Sequence, residues 1–151
     1  MRTSTAYLLA WAYLMTNNVV HAQVGILDPS FGQGDTVLTP ILSSYDRTEE
    51  VLVQPDGRII VVGSTYDNGA TGIALARYES DGTLDTTFGD AGVRISFTTD
   101  SIGIDAAAAV LLSDGRILVA GNAAPNAYIG LLARYTTDGD LDPTFGTGGL
   151  V

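Results

Sequence analysis

A short phrase returns three times along this chain: LDPSFGQGD over Leu27–Asp35, LDTTFGDAG over Leu84–Gly92 and LDPTFGTGG over Leu141–Gly149, with a step of 57 residues each time. A fixed period of this size constrains the fold strongly. Each unit must be one supersecondary module that hides its apolar face on its neighbours. Read this way, the chain holds a partial copy at 27–35, a unit at 36–92 and a unit at 93–149.

Each unit has room for four extended runs rich in Val, Ile and Tyr. In the first they are Val37–Leu42, Glu49–Gln54, Arg58–Thr65 and Gly72–Tyr78; in the second, Val93–Thr98, Ala106–Leu112, Arg116–Asn122 and Tyr128–Tyr135. Ala106–Ala109 alone would suggest helix, but its repeat mate Thr48–Val51 leads into VLVQPDGR, so both read as strands. Asp56-Gly57 and Asp114-Gly115 each separate two apolar runs, which is a strong hairpin signal. These pairs lie 58 rather than 57 residues apart, a gain and a loss of one residue that loops absorb cheaply. Asn68-Gly69 and Pro125-Asn126 mark the connections from third to fourth run. Leu84 and Phe88, like Leu141 and Phe145, are spaced to pack on one side of a single turn. The predicted fold class is all-β, with four-stranded antiparallel units forming two blades of a partial β-propeller. An open β-solenoid-like stack is the alternative.

ALARYESDGTLDTTFG (Ala74–Gly89) and LLARYTTDGDLDPTFG (Leu131–Gly146) agree at most positions, and each follows an upstream DGRI. This pattern resembles the delta-60 repeat of exported bacterial proteins, over about residues 27–151. The resemblance implies a propeller-like, extracytoplasmic repeat protein and carries no catalytic motif with it. It departs from a whole propeller in length, since closure usually takes at least four blades. Val151 corresponds to Arg94, just inside a first strand. The expectation is a fragment of a longer repeat protein, or association with further copies of the same repeat.

The N-terminal segment reads differently. Arg2 precedes an apolar run at Ala6–Met15, and Val20-His21-Ala22 offers small residues at a cleavage point before Gln23. Charge, core and cleavage site stand in the order of a signal peptide over 1–22. A buried N-terminal helix is the competing reading. After residue 22 no apolar run is long enough for a helical membrane anchor. Cleavage would place the mature chain outside the cytoplasm, secreted, on the cell surface or in the periplasm.

Cleavage would also strip the chemistry. His21 and Trp11, the single histidine and tryptophan, leave with the segment, and the chain has no cysteine and no lysine. Six arginines then face 17 carboxylates, a net charge of −11. That balance argues against nucleic acid and anionic lipid as partners, since both select positive patches. A Ser or Thr nucleophile would lack an imidazole or amine base. Paired carboxylates could still support glycoside chemistry, but no pair is singled out and no tryptophan remains as a sugar platform.

Two carboxylate patterns invite a sharper reading. Asp138, Asp140 and Asp142 alternate and could gather round calcium, yet the loop lacks the glycine and distal glutamate of a calcium loop. The sister segment keeps only Asp81 and Asp85. The structural alternative is a turn at Asp138 and a cap at Asp142. Asp28, Asp85 and Asp142 are equivalent across the three copies, with Arg77 and Arg134 as their expected partners. No catalytic, cofactor-binding or metal residue is assigned. The expected role is an exported, non-catalytic scaffold or interaction module with a macromolecular partner; the alternative is a calcium-dependent binder or a carboxylate-based hydrolase.

Overall fold

The computed structural model describes residues 25–42, 45–67, 69–97, 103–124 and 129–151. The expected signal peptide at 1–22, and Asn68, Pro125 and Asn126 of the expected connections, lie outside them. Among the described residues there are seven strands: β1 (Tyr45–Val53), β2 (Ile59–Asp67), β3 (Ala70–Tyr78), β4 (Val93–Ser96), β5 (Gly103–Leu111), β6 (Ile117–Ala124) and β7 (Ile129–Tyr135). They form two antiparallel meanders, a four-stranded sheet β1-β2-β3-β4 and a three-stranded sheet β5-β6-β7. The fold is all-β, as the repeat predicts, and the alanine run Ala106–Ala109 is strand. No described helix is long and apolar enough to cross a membrane.

One strand assignment is corrected. Val37–Leu42 is not a strand, although its repeat mate Val93–Ser96 is. The reason lies in the pairing. β4 belongs by sequence to the second unit, but it pairs with β3 of the first, Ala76 opposite Val93 and Ile73 opposite Ser96. A unit's first run is therefore the outer strand of the sheet before it, and among the described residues Val37–Leu42 has no preceding sheet to join. At the other end, Leu150 bridges Ala133 while Leu132 and Val151 exchange both backbone hydrogen bonds, the pairing that Val93 and Arg94 make on β3. Each sheet thus straddles the boundary between sequence units.

The two sheets share fine structure. β1 carries an extra residue between Thr48 and Glu50, and β5 carries one between Ala106 and Ala108. Opposite these bulges stand Gly63 and Gly121. A Cβ on Gly63 would sit 1.9 Å from the Arg47 carbonyl oxygen, and one on Gly121 would sit 2.0 Å from that of Asp105. Glycine is required there because backbone fills the space a side chain would need. The 58-residue offset holds through β1/β5 and β2/β6 and returns to 57 by Tyr78 and Tyr135, so the length changes do fall in loops.

The blades pack face to face. Ile60 and Val62 of β2 with Ile73 and Leu75 of β3 point one way, and Ser64 beside them accepts a hydrogen bond from the Ala106 amide of β5 at 3.0 Å. Against them lie Ile104, Ala109, Ile117, Val119, Ala133 and Tyr135 of the second sheet, all buried. The strand period of two selects these residues as one stripe per strand. At about 25 cal/mol per Å² of apolar area removed from water, this shared core is the main term holding the sheets together.

Candidate functional site

The repeated phrase builds a clip at the end of each sheet. After β3 the chain turns at Asp81-Gly82, bridges back to Tyr78 through Leu84, and makes a tight turn closed by the Phe88 amide on the Asp85 carbonyl at 3.1 Å. The carboxylate of Asp85 is buried at the centre. One oxygen accepts the amide and hydroxyl of Thr87 at 3.0 and 2.6 Å; the other accepts Arg77 Nε at 2.7 Å and lies 3.3 Å from Arg58 Nε. The Arg77 guanidinium also stacks over Phe88, 4.6 Å from the ring centre. Asp142 repeats this with Thr144 at 3.0 and 2.7 Å, Arg134 Nε at 2.8 Å and Arg116 Nη1 at 2.9 Å, and Arg134 covers Phe145 at 4.5 Å. In the leading copy, Asp28 accepts the amide and hydroxyl of Ser30 at 2.9 and 2.6 Å.

The electrostatics follow. Burial pushes the Asp85 carboxyl up, but hydrogen bonds from Thr87 and Arg77 outweigh it and leave its pKa at about 2. Thr144 and then Arg116 hold Asp142 below the usual carboxylate range, and Ser30 lowers Asp28. These groups are ionised near neutrality, their charge met by turn donors and, at Asp85 and Asp142, by arginines. Such a carboxylate has the wrong basicity for a general acid or base near neutrality.

The sequence-derived candidates land as follows. Asp85 and Asp142 meet the arginines expected of them, and Asp142 caps the following turn. Asp138, Asp140 and Asp142 do not converge: Asp142 faces Arg134 and Arg116, Asp140 pairs with Arg94, and Asp138 offers its backbone carbonyl to Gly89. Among the described residues, no three His, Cys, Asp or Glu side chains are grouped to hold a metal ion. Sequence reasoning missed Arg58 and Arg116 as second partners, and it missed the hydroxyl two positions after each aspartate. The recurring Asp-x-Ser/Thr at Ser30, Thr87 and Thr144 was the available signal.

The clip also ties one unit to the next. Gly32 donates its amide to the Asp81 carbonyl at 2.8 Å, and Gly89 does the same to Asp138 at 2.8 Å. Gly82 and Gly139 sit in the left-handed region, at φ +84 and +89. A Cβ on Gly82 would be 3.1 Å from the Phe31 ring, and one on Gly139 only 2.6 Å from that of Phe88. Arg77 adds a hydrogen bond from Nη1 to the Thr137 carbonyl at 2.8 Å. Phe88 is fully buried by this docking. The site is therefore a joint: Phe31-Gly32 and Phe88-Gly89 each plug onto the Asp-Gly turn of the following copy.

A family model described as a domain of unknown function (DUF5122) beta-propeller matches residues 54–88 and 112–145. Comparisons with curated proteins and with solved structures return no match. The matched spans run from each Asp-Gly hairpin to the phenylalanine of each clip, and the likeness is to a β-propeller repeat family, which agrees with the two packed antiparallel sheets.

Proposed function

We propose that this chain is an exported, non-catalytic β-propeller-type scaffold or interaction module. The observation that supports it is the clip. The repeated charged residues Arg77, Asp85, Arg134 and Asp142 are held by one another and by turn hydroxyls, and Arg77 and Gly89 reach on to the next copy, so the repeated residues serve the frame itself. Function on such a frame belongs to loops and faces. The order of charge, apolar core and small residues over 1–22 supports export.

The competing calcium reading makes a different prediction. A bound ion stabilises the folded state by mass action, so millimolar calcium would raise the melting temperature and EDTA would lower it. The scaffold reading expects neither to move it. A calcium-dependent rise of several degrees would overturn the proposal. Expression of the full chain in a bacterial host tests export separately, the expected product being an extracytoplasmic protein beginning at Gln23.

A further inference from the structure

We infer that the joint between the leading copy and the first sheet holds a binding site for a neutral, hydroxyl-rich ring, a hexose of a glycan. The inference goes beyond the scaffold reading by giving the chain a ligand class.

The two joints of this molecule are built from residues 57 apart in the sequence, and they differ in charge. At the second joint Arg94 crosses to Asp140 and forms an ion pair beside the docked Phe88-Gly89, with Asp90 close by in the sequence. At the first joint Val37, Thr83 and Gln33 stand in the places of Arg94, Asp140 and Asp90. Val37 is too short to cross. It packs on the turn instead, where a Cβ on Gly82 would meet its Cγ2 at 3.0 Å. The space that an arginine spans at one joint is open at the other, as a cavity of about 470 Å³ that reaches Tyr78 and Leu84. Both walls belong to one completed joint, in which Phe31-Gly32 already sits on Asp81-Gly82. The recess at the second joint is smaller, about 370 Å³, and is lined by Arg94 itself rather than by Tyr135.

The walls select the guest. The leading segment contributes the Gln33 side-chain amide and the Thr36 and Thr39 hydroxyls; the far wall contributes Tyr78, Thr83 and Leu84. Tyr78 is only 9% exposed. Among the described residues, the side chains of Gln33, Thr36, Thr39 and Tyr78 have no hydrogen-bond partner. The Thr83 hydroxyl donates to Asp81 at 2.7 Å and keeps its lone pairs for a second donor. No charged side chain lines the cavity, so a cation finds no carboxylate there and an anion finds no arginine. A net charge of −10 opposes anions further. A purely apolar guest would leave the amide and hydroxyls without partners. The match is a ring with a C–H face for Tyr78 and Leu84 and hydroxyls round its edge for the amide and the threonines. The volume falls within the range of small-ligand pockets, roughly 300–1,000 Å³.

Saturation-transfer NMR on the full chain, in EDTA, tests the site with maltose, cellobiose, lactose and N,N′-diacetylchitobiose as probes. At least one should bind with millimolar affinity or better, and more tightly than glucuronate or glucosamine. Val37→Arg/Thr83→Asp moves the ion pair of the second joint into the first and should abolish binding at an unchanged melting temperature. Thr36→Val/Thr39→Val keeps the shape, removes two hydroxyls and should weaken binding about tenfold, which tests the site even if the charged variant fails to fold. Arg94→Ala, at the other joint, should leave binding unchanged. No transfer to any of the four neutral sugars, binding that survives both double variants, or charged sugars that bind as well as neutral ones would overturn the inference. A failed titration in EDTA counts against the cavity alone, and a calcium-dependent melting temperature counts against the scaffold reading alone.

Discussion

At the scale of single residues, this repeat turns on a buried aspartate held by an arginine and a turn hydroxyl. Asp85 accepts three hydrogen bonds in a buried position and lies 3.3 Å from Arg58 Nε, and its charge is matched by Arg77, itself 7% exposed. Removing one partner of such a pair leaves the other charge buried and unmatched. Arg77→Ala should therefore cost about 3–5 kcal/mol, measured by urea titration. An Arg77→Ala/Asp85→Asn double variant should recover part of the loss. The same geometry sets an acid limit. The folded pKa of about 2 lies below the ordinary carboxylate value, so the folded state holds the carboxylate charged where the unfolded chain would already bind a proton. The stability Asp85 contributes is complete above pH ~4 and is lost as pH falls from there through about 2. An acid melt of Asp85→Asn should lack this component; a wild-type curve flat over that window would refute the assignment.

At the scale of the strand, much was legible in the sequence and a definable part was not. The hairpins at Asp56-Gly57 and Asp114-Gly115 were readable because a tight turn dictates its own residues. The strand identity of Ala106–Ala109 was readable only through its repeat mate, since alanine favours helix when taken alone. Val37–Leu42 misled because its strand character is borrowed. The run has the right composition, but an outer strand needs a neighbouring edge, and β3 offers that edge to Val93–Ser96 instead. The pairing of Asp85 with Arg77 could be expected from recurrence, whereas the reach of Arg58 into the same carboxylate depends on β2 and β3 lying side by side. The bulges at Glu49 and Ala107 left one trace, the glycines opposite them. Gly63→Ala or Gly121→Ala would force a Cβ into a backbone carbonyl oxygen at about two thirds of the separation real contacts allow. Because that obstacle is backbone, no side-chain movement relieves it. Each variant should lose more than about 3 kcal/mol in a thermal or urea melt, well beyond the few tenths of an ordinary surface change. Gly130→Ala, with nothing near its Cβ position, is the matched control.

At the scale of the molecule, the two sheets form one cooperative body because neither encloses its own core. Ile60, Val62, Ile73 and Leu75 meet Ile104, Ile117, Val119 and Tyr135, so unfolding either sheet strips the other of its cover. In a repeat protein this places a large share of the stability in the interface term between neighbours. Urea unfolding followed by far-ultraviolet dichroism and by tyrosine fluorescence should give a single coincident transition. The joint can be weakened at one point to test this. Phe88 is fully buried where the first clip docks on the second sheet, whereas its counterpart Phe145 is only half-buried. Phe88→Ala should cost about 3–5 kcal/mol and Phe145→Ala clearly less, although the two rings lie under equivalent arginines in equivalent turns. If the clips served their own sheets alone, the two substitutions would cost the same. Equal losses, or two separate transitions in the wild-type chain, would mean that the sheets stand independently and that the Phe-Gly plug is a local turn with no role in joining blades.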